Sequence, residues 1–378
     1  MFYACQLPIY IVLIFISTSS FAQQVATSLD HTIDHYYSNS KEPGIMLHIT
    51  GKDKQIIYSN GVGLADLNSL TPINLNSNFR MASVSKQFTA LAIRFLHSKN
   101  RLKFNQKIVD FFPQLTGENR LITILHLLNH TSGIVDYETL IPASQGTQLV
   151  DSNVLELITP VEQLYFSPGT KFRYSNTGYC LLSLIVSKVT GMKYEDFMKD
   201  ILFQQMGMTN SSIYNKPDSI NNRVYGYHQE NLNFLFADQS ITSATKGDGG
   251  VYTSAPDYLK ASLAIIADLS SIMEDSVSSK DLFFPINEKI KYGQGLFIGL
   301  DNYKNRIYFH SGESTGFHNI VLMIPNRELC ISLFSNRDDL KIAQFFDEVL
   351  KLMDIKVDGV ENESLFLWLS KVYANQNL

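Results

Sequence analysis

The chain has 378 residues, 45% hydrophobic and 18% charged, which is ordinary globular material with enough length for one large or two modest cores. A formal charge of −5, with no run of Lys or Arg, excludes the electrostatic footprint of a nucleic-acid binder. The 24 Phe and 19 Tyr suit a core and a cleft without selecting a ligand.

Residues 1–22 read as a secretory signal. Leu7 to Ile16 is an apolar stretch, followed by Ser17-Thr18-Ser19-Ser20-Phe21-Ala22, with small residues at the −3 and −1 positions of a cut after Ala22. The stretch is shorter than the about 20 apolar residues a membrane span needs. The expectation is a mature protein that is periplasmic or secreted, with no stable membrane span. Cys5 lies in this segment. Cys180, in a helical run, and Cys330, in an apolar strand, read as buried free thiols, because no framework spacing pairs them.

Residues 24–40 read next as a polar-faced helix. His31 and His35 share one of its faces, but no third ligand is evident, so no metal site is expected. Gly44–Thr50 and Gln55–Gly61 read as strands joined by the turn Gly51-Lys52-Asp53-Lys54. From about Lys103 to Ser279 the pattern is helical and loop-rich, with Leu121–Leu128 and Gly178–Val189 as the clearest helices. Ser254-Ala255-Pro256-Asp257 opens another, with a capping serine, a proline in the first turn and an early acid. From Lys291 the period changes to strands: Gln294–Gly299, Arg306–His310, Asn319–Ile324 and Leu329–Phe334. Asp338–Leu352 closes as a helix with Ile342, Phe345, Phe346 and Val349 on one face.

These elements predict an α/β (α+β) fold. A mainly antiparallel sheet is built from the N- and C-terminal segments and flanked by helices, with a large helical insertion. The expected domain runs over 23–352, with a sheet subdomain at about 23–100 and 285–352 and a helical one at about 101–284. Residues 353–378 carry no readable pattern and are set apart as a C-terminal tail.

The chemistry begins at Met81-Ala82-Ser83-Val84-Ser85-Lys86. Ser83 and Lys86 stand three apart where a helix starts, so they share a face, beside unpaired N–H groups and a partial positive charge. A nucleophile, a base and a place for an oxyanion are what acyl transfer needs. Ser-x-x-Lys also occurs at Ser38–Lys41 and Ser243–Lys246, but turn residues follow both copies. After Lys86, Phe88, Leu91, Ala92, Phe95 and Leu96 continue as a helix. A lysine base must lose its proton near neutral pH, so burial or a nearby cation has to lower its ordinary pKa of about 10.4. A tyrosine beside the pair can share that proton. Tyr174-Ser175-Asn176 supplies one at a turn before a helix. Tyr-x-Asn recurs at Tyr37, Tyr58, Tyr303 and Tyr373, without both a following helix and a place in the helical insertion. A third element, His310-Ser311-Gly312, ends a strand whose edge can pair with an extended substrate.

Ser83-Val84-Ser85-Lys86, Tyr174-Ser175-Asn176 and His310-Ser311-Gly312, in this order and at these spacings, resemble the serine β-lactamase and penicillin-binding protein superfamily. The nearest likeness is to its class C β-lactamase and D,D-carboxypeptidase/esterase branch. Leu127-Leu128-Asn129-His130-Thr131-Ser132-Gly133 and Gly247-Asp248-Gly249-Gly250-Val251-Tyr252 look similar too, so the likeness covers about residues 40 to 350. The resemblance implies a β-lactamase/transpeptidase-like fold and a covalent acyl-enzyme on Ser83. Lys86 and Tyr174 would handle the proton, Asn176 would orient Lys86 and the substrate amide, and His310 would close the site opposite Tyr174. Ser311 and Gly312 would line the substrate strand, and the backbone N–H groups of Ser83 and Glu313 would hold the oxyanion. It implies no metal and no organic cofactor.

Two features depart from the β-lactamases. Their third motif usually begins with lysine, where this chain has a histidine expected to be charged only in part. Glu313 also brings a carboxyl beside the oxyanion strand. Both favour a D-amino-acid peptidase, carboxypeptidase or esterase, acting on a small-molecule or peptide carbonyl, over an efficient β-lactamase. The alternatives are a penicillin-recognising sensor that is acylated without turnover and a non-catalytic binding protein. Gly312-Glu313-Ser314-Thr315-Gly316 fits G-x-S-x-G, but a strand rather than a helix follows it.

Overall fold

The computed structural model describes residues 23–215, 219–274, 281–360 and 362–374. The proposed signal at 1–22 lies outside them. Helix α1 covers residues 23–36, and its His31 and His35 are exposed. Strands β1 (Ile45–Thr50) and β2 (Ile56–Val62) follow as a hairpin. The C-terminal part supplies β3 (Phe284–Pro285), β4 (Lys291–Gly293), β5 (Leu296–Leu300), β6 (Arg306–Ser314), β7 (Phe317–Ile324) and β8 (Leu329–Ser335).

All eight strands form one antiparallel sheet in the order β3-β4-β5-β6-β7-β8-β1-β2. The two chain ends meet where β1 pairs with β8, from Ile45 opposite Ser335 to Thr50 opposite Cys330. An antiparallel pairing of this kind needs no crossover helix, so the long insertion between β2 and β3 can fold separately against one face.

Alternation along the strands sends side chains to both faces, and both faces are covered. Ile45, Leu47, Ile49, Ile320, Leu322, Ile331 and Leu333 pack with α1, α5 (Lys341–Leu352) and α6 (Leu365–Tyr373). Met46, Tyr308, Val321, Met323 and Phe334 face the other way, into the core of the helical insertion. Helix α2 (Lys86–Ser98) runs through that second core. Its apolar repeat predicts one buried face, but Thr89, Ala90, Ile93 and Arg94 are buried as well. The sheet covers one side of α2 while α3 (Asn176–Thr190) and α4 (Ala255–Glu274) cover others, leaving no solvent face.

Two expectations change. β6 extends through Ser314, four residues beyond the expected end, because β7 pairs with it as far as Ser314 opposite Phe317. The stretch 353–378, set apart as a tail, contains α6, whose Leu365, Phe366, Trp368, Leu369 and Val372 are buried against the sheet and α5. Trp368 packs edge-on to Phe297 of β5, 5.7 Å between ring centres.

Among the described residues no helix is long and apolar enough to cross a membrane. Cys180 and Cys330 are buried free thiols.

Candidate active site

Ser83 sits in a tight 3₁₀ turn, Ala82–Ser85, that leads directly into α2. Ala82, before it, has φ +48°, a left-handed conformation that costs an L-residue about 1–3 kcal/mol and persists only where surroundings enforce it. Here they do. Short strands Phe79–Arg80 and Val251–Thr253 pair on one side, and the Val251 amide donates to Ser85 Oγ at 3.0 Å. On the other side β6 presses so closely that a Cβ on Gly312 would lie 2.2 Å from the Met81 carbonyl oxygen. The glycine is required by that approach. Ala82, Val84 and Ser85 are buried, while Ser83 is partly exposed.

Lys86 is fully buried, and its amine donates to Ser83 Oγ at 3.0 Å, Asn176 Oδ1 at 2.8 Å and the Asp248 carbonyl at 3.1 Å. Burial lowers its pKa to about 8, against the opposing pull of Asp248 and other acidic neighbours. The amine also lies over the Tyr174 ring, 4.9 Å from its centre. Asn176 begins α3, which Ser175 caps by accepting from the Gly178 amide at 3.3 Å. Asn176 Nδ2 donates to Glu138 Oε1 at 2.7 Å, which fixes its amide with the oxygen toward Lys86.

Tyr174 is buried, and burial raises its pKa well above 10, more than a hydrogen bond with Ser83 lowers it. The phenol is therefore protonated at neutral pH. His130 packs on Tyr174 at 4.3 Å between ring centres. His130 Nδ1 accepts from the Ser175 amide at 3.1 Å, leaving Nε2–H to donate to the Tyr292 hydroxyl at 3.1 Å. His310 faces Tyr174 across the site, with ring centres 6.2 Å apart. The expectation of partial charge on His310 is corrected: it is fully buried, and burial followed by the nearby Lys86 lowers its pKa to about 3. A neutral imidazole results. Burial likewise raises the Glu313 pKa, and its carboxylate accepts from Ser370 Oγ of α6 at 2.7 Å.

A cavity of about 210 Å³ opens at Ser83. Arg80, Tyr137, Asn176, Thr242, Glu313 and Thr315 are among its walls. The arrangement offers a hydroxyl, an amine that can lose its proton, a protonated phenol and a close-packed strand edge, which suffices for acyl transfer.

The family model for Beta-lactamase matches residues 29–345. The chain belongs to the β-lactamase family. It is 32% identical over 324 residues to "Penicillin-binding protein 4*" of Bacillus subtilis (strain 168), covering 80% of this chain and 70% of that protein. Among solved structures, a class C β-lactamase superposes with a TM-score of 0.71 at 19% identity, covering 88% of this chain and 98% of the other. A D-amino acid amidase from Ochrobactrum anthropi SV3 superposes with a TM-score of 0.69 at 19% identity, covering 88% and 99%. Membership of the β-lactamase family supports serine acyl-hydrolase activity in the broad sense.

Within this family member, the other motif copies have surroundings of their own. Ser38 and Lys41 are exposed, and the Lys246 amine pairs with Glu195 at 2.7 Å. Ser314 ends a strand that turns straight into β7, so it is no nucleophile elbow. Of the other Tyr-x-Asn tyrosines, Tyr58 bonds Asp30 at 2.5 Å and Tyr303 is exposed beside Asp354. Tyr373 is different. Its ring lies 4.4 Å from Tyr174 and stacks on His310 at 5.5 Å. Sequence reasoning set it aside as tail, and also missed Glu138 and Asp151. Asp151 accepts from the Lys246 and Gly247 amides at 2.9 and 3.1 Å, holding the loop whose Asp248 carbonyl meets Lys86. Asp151, Cys180 and Asp248 bring possible ligand atoms within 4.8 Å of one another. Asp151's oxygens are used by those amides, and burial raises the Cys180 pKa well above 9, so the thiol is protonated. No spacing signal in the sequence marks Glu138 or Asp151.

Proposed function

We propose that the chain is a serine hydrolase that cleaves an ester or amide carbonyl through an acyl-enzyme on Ser83. The observation that carries the reading is the buried Lys86 amine, 3.0 Å from Ser83 Oγ and with its pKa lowered to about 8. Neutral Lys86 takes the hydroxyl proton as Ser83 Oγ bonds to the carbonyl carbon. The negative oxygen is held by the backbone N–H groups of Ser83 and Glu313; loss of one such donor typically costs about 2.7–4 kcal/mol. As the bond to the leaving group breaks, the proton passes from Lys86 through the Tyr174 phenol to the departing atom. Water then adds to the acyl carbon and gives its proton to Lys86, and Ser83 is released with its hydrogen restored. Asn176 keeps Lys86 aimed at Ser83 and offers its amide to the substrate.

An ester, or the amide of a D-amino acid, is favoured over a β-lactam antibiotic. Neutral His310 occupies the position where a fixed cation would bind an antibiotic carboxylate. The structural likeness to a D-amino acid amidase is compatible with that preference. The apolar segment Leu7–Ile16 with Ser20 and Ala22 supports export, so that the enzyme would act in the periplasm or outside the cell.

Intact-mass spectrometry after exposure to a fluorophosphonate, and separately to a penicillin, tests the reading. One fluorophosphonate per chain on Ser83, absent in Ser83→Ala, is expected, with no lasting penicillin adduct. A stable penicillin adduct on Ser83 would favour the sensor or a carboxypeptidase instead. Full activity in Ser83→Ala would refute the assignment.

A further inference from the structure

α6 lies beyond residue 345, where the family match ends, and it reaches the site through two side chains. Ser370 Oγ holds Glu313, as described. The Tyr373 hydroxyl accepts from the Ser311 amide and from Ser311 Oγ, both at 3.0 Å, and turns its own proton toward the Ser311 carbonyl at 3.2 Å.

The position of these bonds on β6 matters. Along an antiparallel strand, a residue's N–H and C=O point to the same side, and residues two apart share that side. β5 leaves β6 after the pair Phe297–Phe309, so from Ser311 onward the edge of β6 away from β7 has no strand partner among the described residues. Ser311 directs both groups to that open edge, where Tyr373 caps them. Glu313, two residues on, directs its N–H to the same edge, where it serves as the second oxyanion donor. An extended substrate with its carbonyl at Glu313 would find the next hydrogen-bonding position already filled.

Tyr174 identifies which side of the substrate is affected. It delivers the proton to the leaving group in the mechanism above, and the Tyr373 ring packs against it at a tilt, 4.4 Å between ring centres. The cavity at Ser83 is consistent with this, since Tyr174, His310 and Tyr373 are not among its walls. Space opens on the acyl side and closes on the leaving-group side. Around Tyr373 stand Tyr174, Phe297 and the neutral His310, an aromatic lining that leaves little room on this side.

We infer that Tyr373 is a specificity-determining residue that restricts the enzyme to small leaving groups, such as the alcohol of a simple ester or the ammonia of a primary amide. The inference rests on the proposed acyl-enzyme at Ser83.

The test compares hydrolysis of methyl acetate and benzyl acetate, which share an acyl group and differ in the leaving alcohol. The measured quantity is the benzyl-to-methyl ratio of kcat/KM in the full chain and in Tyr373→Ala, Tyr373→Leu and Tyr373→Phe. Tyr373→Ala should move the ratio toward benzyl by at least about tenfold, a size typical of pocket discrimination. Tyr373→Phe keeps the ring and should keep the ratio. Tyr373→Leu retains apolar packing with a shorter side chain, so it should shift the ratio in the same direction even if the alanine variant fails to fold. Fluorophosphonate labelling of Ser83 is measured in parallel. Unchanged ratios in folded, labelled variants overturn the inference and leave the acyl-enzyme intact. Absence of labelling in the unaltered chain overturns the acyl-enzyme reading and the inference with it.

Discussion

The pH dependence of Ser83 acylation follows from the burial of Lys86. An ordinary lysine, with pKa about 10.4, is neutral in only about one molecule in 2,500 at pH about 7. With burial lowering the value to about 8, the neutral fraction at that pH becomes about one in ten. In the proposed mechanism the active form is the neutral amine, so acylation should increase as pH rises through about 8 and level off above it. Between about pH 7 and about pH 9 the increase should be about tenfold. His310, lowered to about 3, and Tyr174, raised well above 10, add no further limb in this range. The assay is the second-order rate of Ser83 labelling by a fluorophosphonate, followed by intact mass across that interval. Lys86→Arg, whose guanidinium does not deprotonate, should lose about 10²-fold or more at every pH. A flat profile from pH about 7 to 9, or a midpoint near the ordinary lysine value, would refute the assignment of Lys86 as the base.

Two further outcomes are expected. Gly312→Ala would put a methyl group 2.2 Å from the Met81 carbonyl oxygen and drive β6 away from Ser83, separating the two proposed oxyanion donors. Labelling of Ser83 should fall by at least about 10²-fold, and a variant labelled at the original rate would show that the strand does not serve the oxyanion. Phe346, fully buried beneath α5, anchors that helix to the sheet. Phe346→Ala should lower stability by about 3–5 kcal/mol in urea unfolding, and a loss below about 1 kcal/mol would mean that this face of the helix repacks freely.

Much of this protein was legible from local pattern. Ser83 and Lys86 are three residues apart, and helical geometry alone brings them together. Tyr174-Ser175-Asn176 announced itself through a capping serine before an apolar run, and the strands of the sheet through their alternation. Local pattern failed where a contact crosses the chain. α2 looks amphipathic, yet its other face is covered by α3 and α4, which sequence spacing does not reveal. Glu138 acts through a hydrogen bond to Asn176, 38 positions away, and Asp151 through bonds from Lys246 and Gly247, 95 and 96 positions away.

His310 and Tyr373 mark the boundary most clearly. A strand end and the glycine after it marked His310-Ser311-Gly312 as a candidate, and the family resemblance implied that His310 faces the phenol. Its charge was decided by desolvation, a property of the completed cleft that no neighbouring residue in the chain encodes. Tyr373 matched a short motif no better than several other tyrosines did. Only the packing of α6 across β5, β6 and β7 carries its hydroxyl to Ser311, 62 residues earlier in the chain. The covalent order of residues thus determined the reactive pair and the scaffold, since both follow from periodicity and turn chemistry. The protonation states and the closed side of the cleft were decided by tertiary structure, since both depend on which distant surfaces exclude water together.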